Sequence, residues 1–113
     1  MSPITTHILD TSLGKPAAGV EVVLEAGNGD AWNRMGQGVT NADGRVGDLI
    51  ADGTALAAGE YRIHFATSAY FRSQGRESFY PGVTVHFEVR DPSEHYHVPL
   101  LLNPFGYSTY RGS

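Results

Sequence analysis

Few residue types in this chain can carry chemistry. It has five histidines, eight lysines and arginines, twelve acidic residues and no cysteine. Without a thiol there is no sulfur nucleophile, disulfide framework, iron–sulfur cluster or Cys-based zinc site. Histidine leads the remainder, because imidazole titrates near neutral pH and can act as general base, hydrogen-bond donor or metal ligand. His7 lies in Ile4-Thr5-Thr6-His7-Ile8-Leu9-Asp10, and His95 and His97 lie in His95-Tyr96-His97-Val98-Pro99-Leu100-Leu101-Leu102. In strands, alternation puts His7 beside Leu9, and His97 beside His95, Pro99 and Leu101. An imidazole buried among apolar neighbours needs a polar partner. Three readings stay open: each ring donates to a backbone carbonyl in an interface, one ring is a general base, or His7, His95 and His97 share a metal ion. The metal reading lacks a carboxylate on those faces and any standard ligand spacing. His64, on the Arg62 face, and His86, with Thr84, Glu88 and Arg90, read as solvated surface. His95, next to Glu94, reads as a hydrogen-bonding or capping group.

Arg45 follows the turn sequence Asn41-Ala42-Asp43-Gly44. It is either an ordinary exposed residue or a planar fork for an anionic or urea-like substrate. Tyr110 either packs in an interface or offers its hydroxyl to a substrate. No Ser nucleophile, phosphate-cradling glycine loop or acidic glycosidase pair is apparent. The net charge of −4, with no basic patch, argues against nucleic acid as a partner. With 41% hydrophobic and 18% charged residues, the chain is neither a disordered tail nor a membrane span.

The elements that must position these groups read as all-β. The 113 residues make one domain, 1–113, with 14 glycines and six prolines separating short apolar runs. Strands are expected over 4–10, 20–25, 31–40, 61–67, 83–90, 95–102 and 105–111, with a short segment after Arg45 as an eighth. The stretch 52–58, Ala-rich and closed by Gly59, is the one expected helix. Seven or eight strands at regular spacing predict a two-sheet antiparallel β-sandwich with one short helix. In 95–102, Tyr96, Val98, Leu100 and Leu102 form the core face. The opposite face carries His95, His97, Pro99 and Leu101, and Ser108 and Tyr110 fall on a similar face of the last strand. Such a charge-poor outer face predicts a buried interface and a symmetric homo-oligomer. Pro99 is out of place in a strand interior, and belongs at an edge or shapes the outer surface. The N-terminus shows no basic region followed by an apolar one, so a cytoplasmic location with no membrane association is expected.

Four blocks of the sequence resemble the transthyretin superfamily. They are Ile4-Thr5-Thr6-His7-Ile8-Leu9-Asp10 with Gly14-Lys15-Pro16-Ala17, Thr40-Asn41-Ala42-Asp43-Gly44-Arg45, His95 to Leu102, and Pro104-Phe105-Gly106-Tyr107-Ser108-Thr109-Tyr110-Arg111-Gly112-Ser113. The Tyr-Arg-Gly-Ser ending resembles the enzyme branch, the 5-hydroxyisourate hydrolases, and not the hormone carrier, which lacks both histidines, the arginine and the tetrapeptide. Asn103 stands where Ser is common in that branch, in a turn where Asn fits equally well. The resemblance implies a transthyretin-like sandwich and hydrolysis of 5-hydroxyisourate in urate degradation, with no cofactor and no metal. It implies His7, Arg45 and His97 as catalytic residues, with His7 and Arg45 also holding substrate alongside Ser108, Tyr110, Arg111, Gly112 and Ser113. It further implies a homotetramer, a dimer of dimers whose central channel holds the sites. The rival reading is a non-catalytic, transthyretin-like small-molecule binding protein.

Overall fold

The computed structural model describes residues 2–113. The strands are β1 (Ile4–Asp10), β2 (Lys15–Pro16), β3 (Glu21–Asn28), β4 (Ala31–Val39), β5 (Gly59–Phe65), β6 (Val83–Val89), β7 (Tyr96–Asn103) and β8 (Gly106–Thr109). They form two four-stranded sheets, ordered β2-β1-β7-β8 and β4-β3-β5-β6. Side-chain alternation drives the layering. Ile4, Ile8 and Leu100 from one sheet meet Val22, Leu24, Ile63, Phe65 and Val83 from the other, each almost fully buried. Tyr96, Val98, Leu100 and Leu102 do form the core face of β7, as alternation predicts. Thr5, His7, Leu9, His97 and Leu101 remain half-buried on the outer face.

Three expectations need correction. The sandwich is antiparallel in every pair but one: β1 and β7 run parallel, with His7 beside Pro99 and Thr5 beside His97. The helix is not at 52–58, which turns at Gly53 with φ +84 and has its Ala57 N–H and carbonyl tied to the Tyr61 hydroxyl. Alanine content favours a helix there, but the segment has only Leu56 to bury against the core. The helix is instead α1 (Thr67–Ser73), directly after β5, which ends at Phe65 where a strand to Thr67 is expected. Finally, the segment after Arg45 forms no strand, Arg45 itself making a single bridge to His7; the eighth strand is β2, over Lys15–Pro16.

Asp10 explains why so short a helix forms. Its carboxylate, fully buried at the end of β1, accepts hydrogen bonds from the Tyr70 hydroxyl at 2.8 Å and the Arg76 guanidinium at 2.6 Å. It also accepts the Ser12 and Leu13 N–H groups and the Ser12 hydroxyl. Tyr70 and Phe71 are thereby held against the core although no side chain caps the helix N-terminus. Burial pushes the Asp10 carboxyl up, but the hydrogen bonds from Ser12, Arg76, Tyr70 and Leu13 outweigh it and hold the group at about 2, below its ordinary 3.8.

A carboxyl lowered in this way stabilises the fold fully above its unfolded value, and that contribution disappears as pH falls through the folded one. The shift corresponds to about 2 kcal/mol. Asp10→Asn should therefore lose at least about 2 kcal/mol at pH 7, read by urea denaturation at fixed protein concentration. The gap to wild type should narrow between about pH 4 and pH 2. An equal gap at all pH values would show that charge is not the source.

Candidate active site

Because β1 and β7 are parallel and in register, paired residues lie side by side on one face. Thr5 and His97 form one such pair, and His7 and Pro99 the next pair along. The Thr5 hydroxyl oxygen stands 2.8 Å from His97 Nδ1 and 3.1 Å from His95 Nε2.

Arg45 reaches the same edge through a turn built by Asn41. The Asn41 side-chain oxygen accepts the N–H groups of Asp43 and Arg45 at 2.9 and 3.1 Å, and Asn41 N–H donates to the Arg45 carbonyl at 2.8 Å. Gly44 then docks on β1, its carbonyl accepting Ile8 N–H at 2.9 Å, which brings Arg45 opposite His7. Gly44 has φ +75, and a Cβ there would stand 2.4 Å from the Ile8 carbonyl oxygen and 3.3 Å from His7 Cδ2. Only glycine allows this approach.

The third contribution is the chain's end. β8 pairs with β7 from Asn103 to Leu100 and stops at Thr109, opposite Leu100. The next ladder donor would be Pro99, which has no N–H, so the question of its place is answered: β7 has no ladder partner on the β8 side there. Thr109 Oγ1 donates to the Pro99 carbonyl at 2.7 Å, and the register resumes at one bridge, Gly112 N–H to the His97 carbonyl at 2.8 Å. Gly112 lies flat on the histidine: a Cβ would be 2.6 Å from His97 Cδ2.

Together these elements enclose an open cleft of about 450 Å³, lined by Thr5, Asn41, Arg45, His95, His97 and Ser113 among others. No Asp or Glu lines it, and among the described residues no carboxylate pairs with Arg45. Burial, and then the charges of Arg45, His7 and His95, lower the His97 pKa below the usual imidazole value of 6.5. At neutral pH the site holds a neutral imidazole beside an unpaired guanidinium. That combination can take a proton from water and stabilise an oxyanion. Among the described residues, no group of three or more His, Cys, Asp or Glu is placed to hold a metal ion.

The residues expected to act divide into two groups. His7, Arg45, His97, Gly112 and Ser113 converge on this edge. Ser108 pairs with Leu101 farther along the sheet. Tyr110, 57% exposed, and Arg111 open onto a neighbouring cleft of about 490 Å³ that also includes His86, Phe87 and Glu94. Arg111 is further held by Glu94 at 2.9 Å and lies over the Tyr96 ring at 4.4 Å. His64 and His86 are surface groups, bonded to Thr84 and Glu60. Sequence reasoning did not single out Thr5 or Asn41: Asn41 has a turn signature, but Thr5 has no signal without the strand pairing.

Known proteins share this fold over nearly the whole chain. Residues 4–112 match the family described as HIUase/Transthyretin. A 5-hydroxyisourate hydrolase of Salmonella typhimurium is 48% identical over 110 residues, 97% of this chain and 80% of that protein. The solved 5-hydroxyisourate hydrolase of Klebsiella pneumoniae superposes with a TM-score of 0.84 at 39% identity, covering 97% of this chain and 98% of the other. Sea bream transthyretin in complex with thyroxine superposes with a TM-score of 0.89 at 35% identity, covering 97% and 94%.

Removing the Arg45 charge should let the His97 pKa rise part of the way back toward its ordinary value, because burial remains. Histidine NMR titration of Arg45→Gln checks this, and an unchanged or lower His97 value would contradict the electrostatic account.

Proposed function

The chain belongs to the HIUase/Transthyretin family, and we propose that it is an enzyme of that family, a 5-hydroxyisourate hydrolase acting in urate degradation. The observation that carries this reading is the meeting of His97 and Arg45 in one cleft that no carboxylate lines, with His7 bridged to Arg45 at its edge. A carrier of a hydrophobic ligand has no use for such a polar site.

The reaction is hydrolytic ring opening. Water adds to a cyclic amide carbonyl of 5-hydroxyisourate, the carbonyl carbon–nitrogen bond breaks, and the released nitrogen takes a proton. The product is 2-oxo-4-hydroxy-4-carboxy-5-ureidoimidazoline, in which the attacked carbon has become a carboxylate. His97 and His7 position the water, and the imidazole that takes its proton returns one to the leaving nitrogen. Arg45 binds the polar edge of the ring and offsets charge developing on oxygen. Gly112 and Ser113 close the cleft over His97. Ser108, Tyr110 and Arg111 belong to the substrate-binding set through the assembly. The substrate is already an activated acyl compound, so this scheme uses no cofactor and no metal.

The same reading includes a homotetramer, a dimer of dimers with its sites in a central channel. Its support is the charge-poor outer face of β1, β7 and β8, where His7, Leu9, His97 and Leu101 stand half-buried in the single chain and Ser108 pairs with Leu101. A cytoplasmic site of action fits a chain without cysteine. No helix among the described residues is long and apolar enough to cross a membrane.

The test follows the ultraviolet decay of 5-hydroxyisourate, freshly made from urate with urate oxidase, against its spontaneous hydrolysis. Wild type should accelerate the decay. His97→Asn should lose about 100-fold or more of that rate while keeping the wild-type oligomeric state by size-exclusion chromatography. Equal decay with and without wild-type protein would favour a binding role. Deleting Tyr110 to Ser113 should abolish turnover, and full activity of the truncated chain would contradict their part in the site.

A further inference from the structure

The contact between Thr5, His95 and His97 is not accounted for by the reaction scheme. A hydroxyl has one proton to donate and two lone pairs to accept with. Thr5 Oγ1 lies within hydrogen-bond distance of two ring nitrogens, His97 Nδ1 and His95 Nε2, so the proton positions on the two rings are linked through it. If His97 carries its proton on Nδ1, it donates to Thr5, whose hydroxyl then donates to His95 Nε2. If His97 carries its proton on Nε2, the direction reverses: Thr5 donates to His97 Nδ1 and can accept from a His95 Nε2–H. Only the first arrangement leaves a lone pair on His97 Nε2.

Three features of the cleft select the first arrangement. The Cδ2 edge of the ring is covered by Gly112 and Nδ1 faces Thr5, so Nε2 is the ring nitrogen left for a ligand. No described residue hydrogen-bonds to Nε2. Arg45, the first of the charges that act on His97, is a donor with no acceptor atom, and its field favours a lone pair over an N–H at the nitrogen turned to the cleft.

We propose that Thr5 is a positioning residue: its hydroxyl accepts from His97 Nδ1–H and donates to His95 Nε2, fixing the tautomer in which His97 Nε2 is the base. His95, which reads from sequence as a simple hydrogen-bonding group, is the far end of this relay. The role of His97 Nε2 as base rests on the hydrolase reading; the tautomer itself does not.

Two variants and two readouts test the relay. Thr5→Val keeps the β-branched shape that suits a strand and removes the hydroxyl, and Thr5→Ser keeps the hydroxyl. Two-bond nitrogen–proton NMR of the full chain labelled with 15N-histidine reports each ring's tautomer directly. Wild type and Thr5→Ser should show His97 protonated on Nδ1 with a bare Nε2, and Thr5→Val should lose that preference. Wild-type His97 protonated on Nε2, or a tautomer unchanged in Thr5→Val, would overturn the proposal. In the 5-hydroxyisourate assay, Thr5→Val should lose about tenfold or more in kcat with KM changed less than about twofold, and Thr5→Ser should restore most of it. Unchanged kcat in Thr5→Val, or a loss that Thr5→Ser does not repair, would also overturn it. Should Thr5→Val not fold, Thr5→Ala removes the same hydroxyl. If wild type fails to open the substrate, the hydrolase reading falls, while the NMR result still decides the relay.

Discussion

In the one parallel ladder among the described residues, between β1 and β7, each residue stands beside its partner on the same face of the sheet. Thr5 is therefore next to His97, and His7 next to Pro99. An antiparallel pairing of the same two strands would keep the faces but reverse the order, and the hydroxyl would no longer reach the imidazole. Both other parts of the site attach to this ladder: the Gly44 carbonyl caps Ile8 N–H on its outer edge, and Gly112 N–H bonds the His97 carbonyl on the other. Two glycines make these attachments possible, one against each histidine, because each sits where a side chain would strike the ring or the strand.

The molecule treats its charged groups in two opposite ways. Asp10 is buried and surrounded by donors, so its negative charge is secured and serves to dock α1. Arg45 has no such partner among the described residues, and its charge acts outward on the cleft and on His97. A carboxylate beside Arg45 would cancel that field and hold the imidazole's proton. The absence of Asp and Glu from the lining is thus part of how the cleft works.

Much of this was legible in the sequence, because alternation is local. Tyr96, Val98, Leu100 and Leu102 announce a core face, and the histidines opposite them announce a face that is not ordinary surface. The turn at Asn41 and the delivery of Arg45 follow from turn chemistry alone. The parts that were not legible depend on contacts distant in sequence. Thr5 and His97 are separated by 92 positions, and nothing in either segment says that they pair. The helix at Thr67–Ser73 is set by Asp10, Tyr70 and Arg76, while 52–58 had the composition of a helix without a face to bury. Tyr110 lies beyond the end of an edge strand, where no ladder fixes its side of the sheet, so its place in the neighbouring cleft could not be read from alternation.

The alternation of β1 and β7 also has an evolutionary consequence. Ile4, Ile8, Val98 and Leu100 stabilise the sandwich, while Thr5 and His97, set between them, line the cleft and His7 bridges to Arg45. Stability and chemistry are thus encoded at interleaved positions of the same two strands. A lineage could exchange the outward residues for others, and lose or change its ligand, without paying in the core. A thyroxine complex that superposes on this chain at a TM-score of 0.89 with 35% identity is what such freedom would produce.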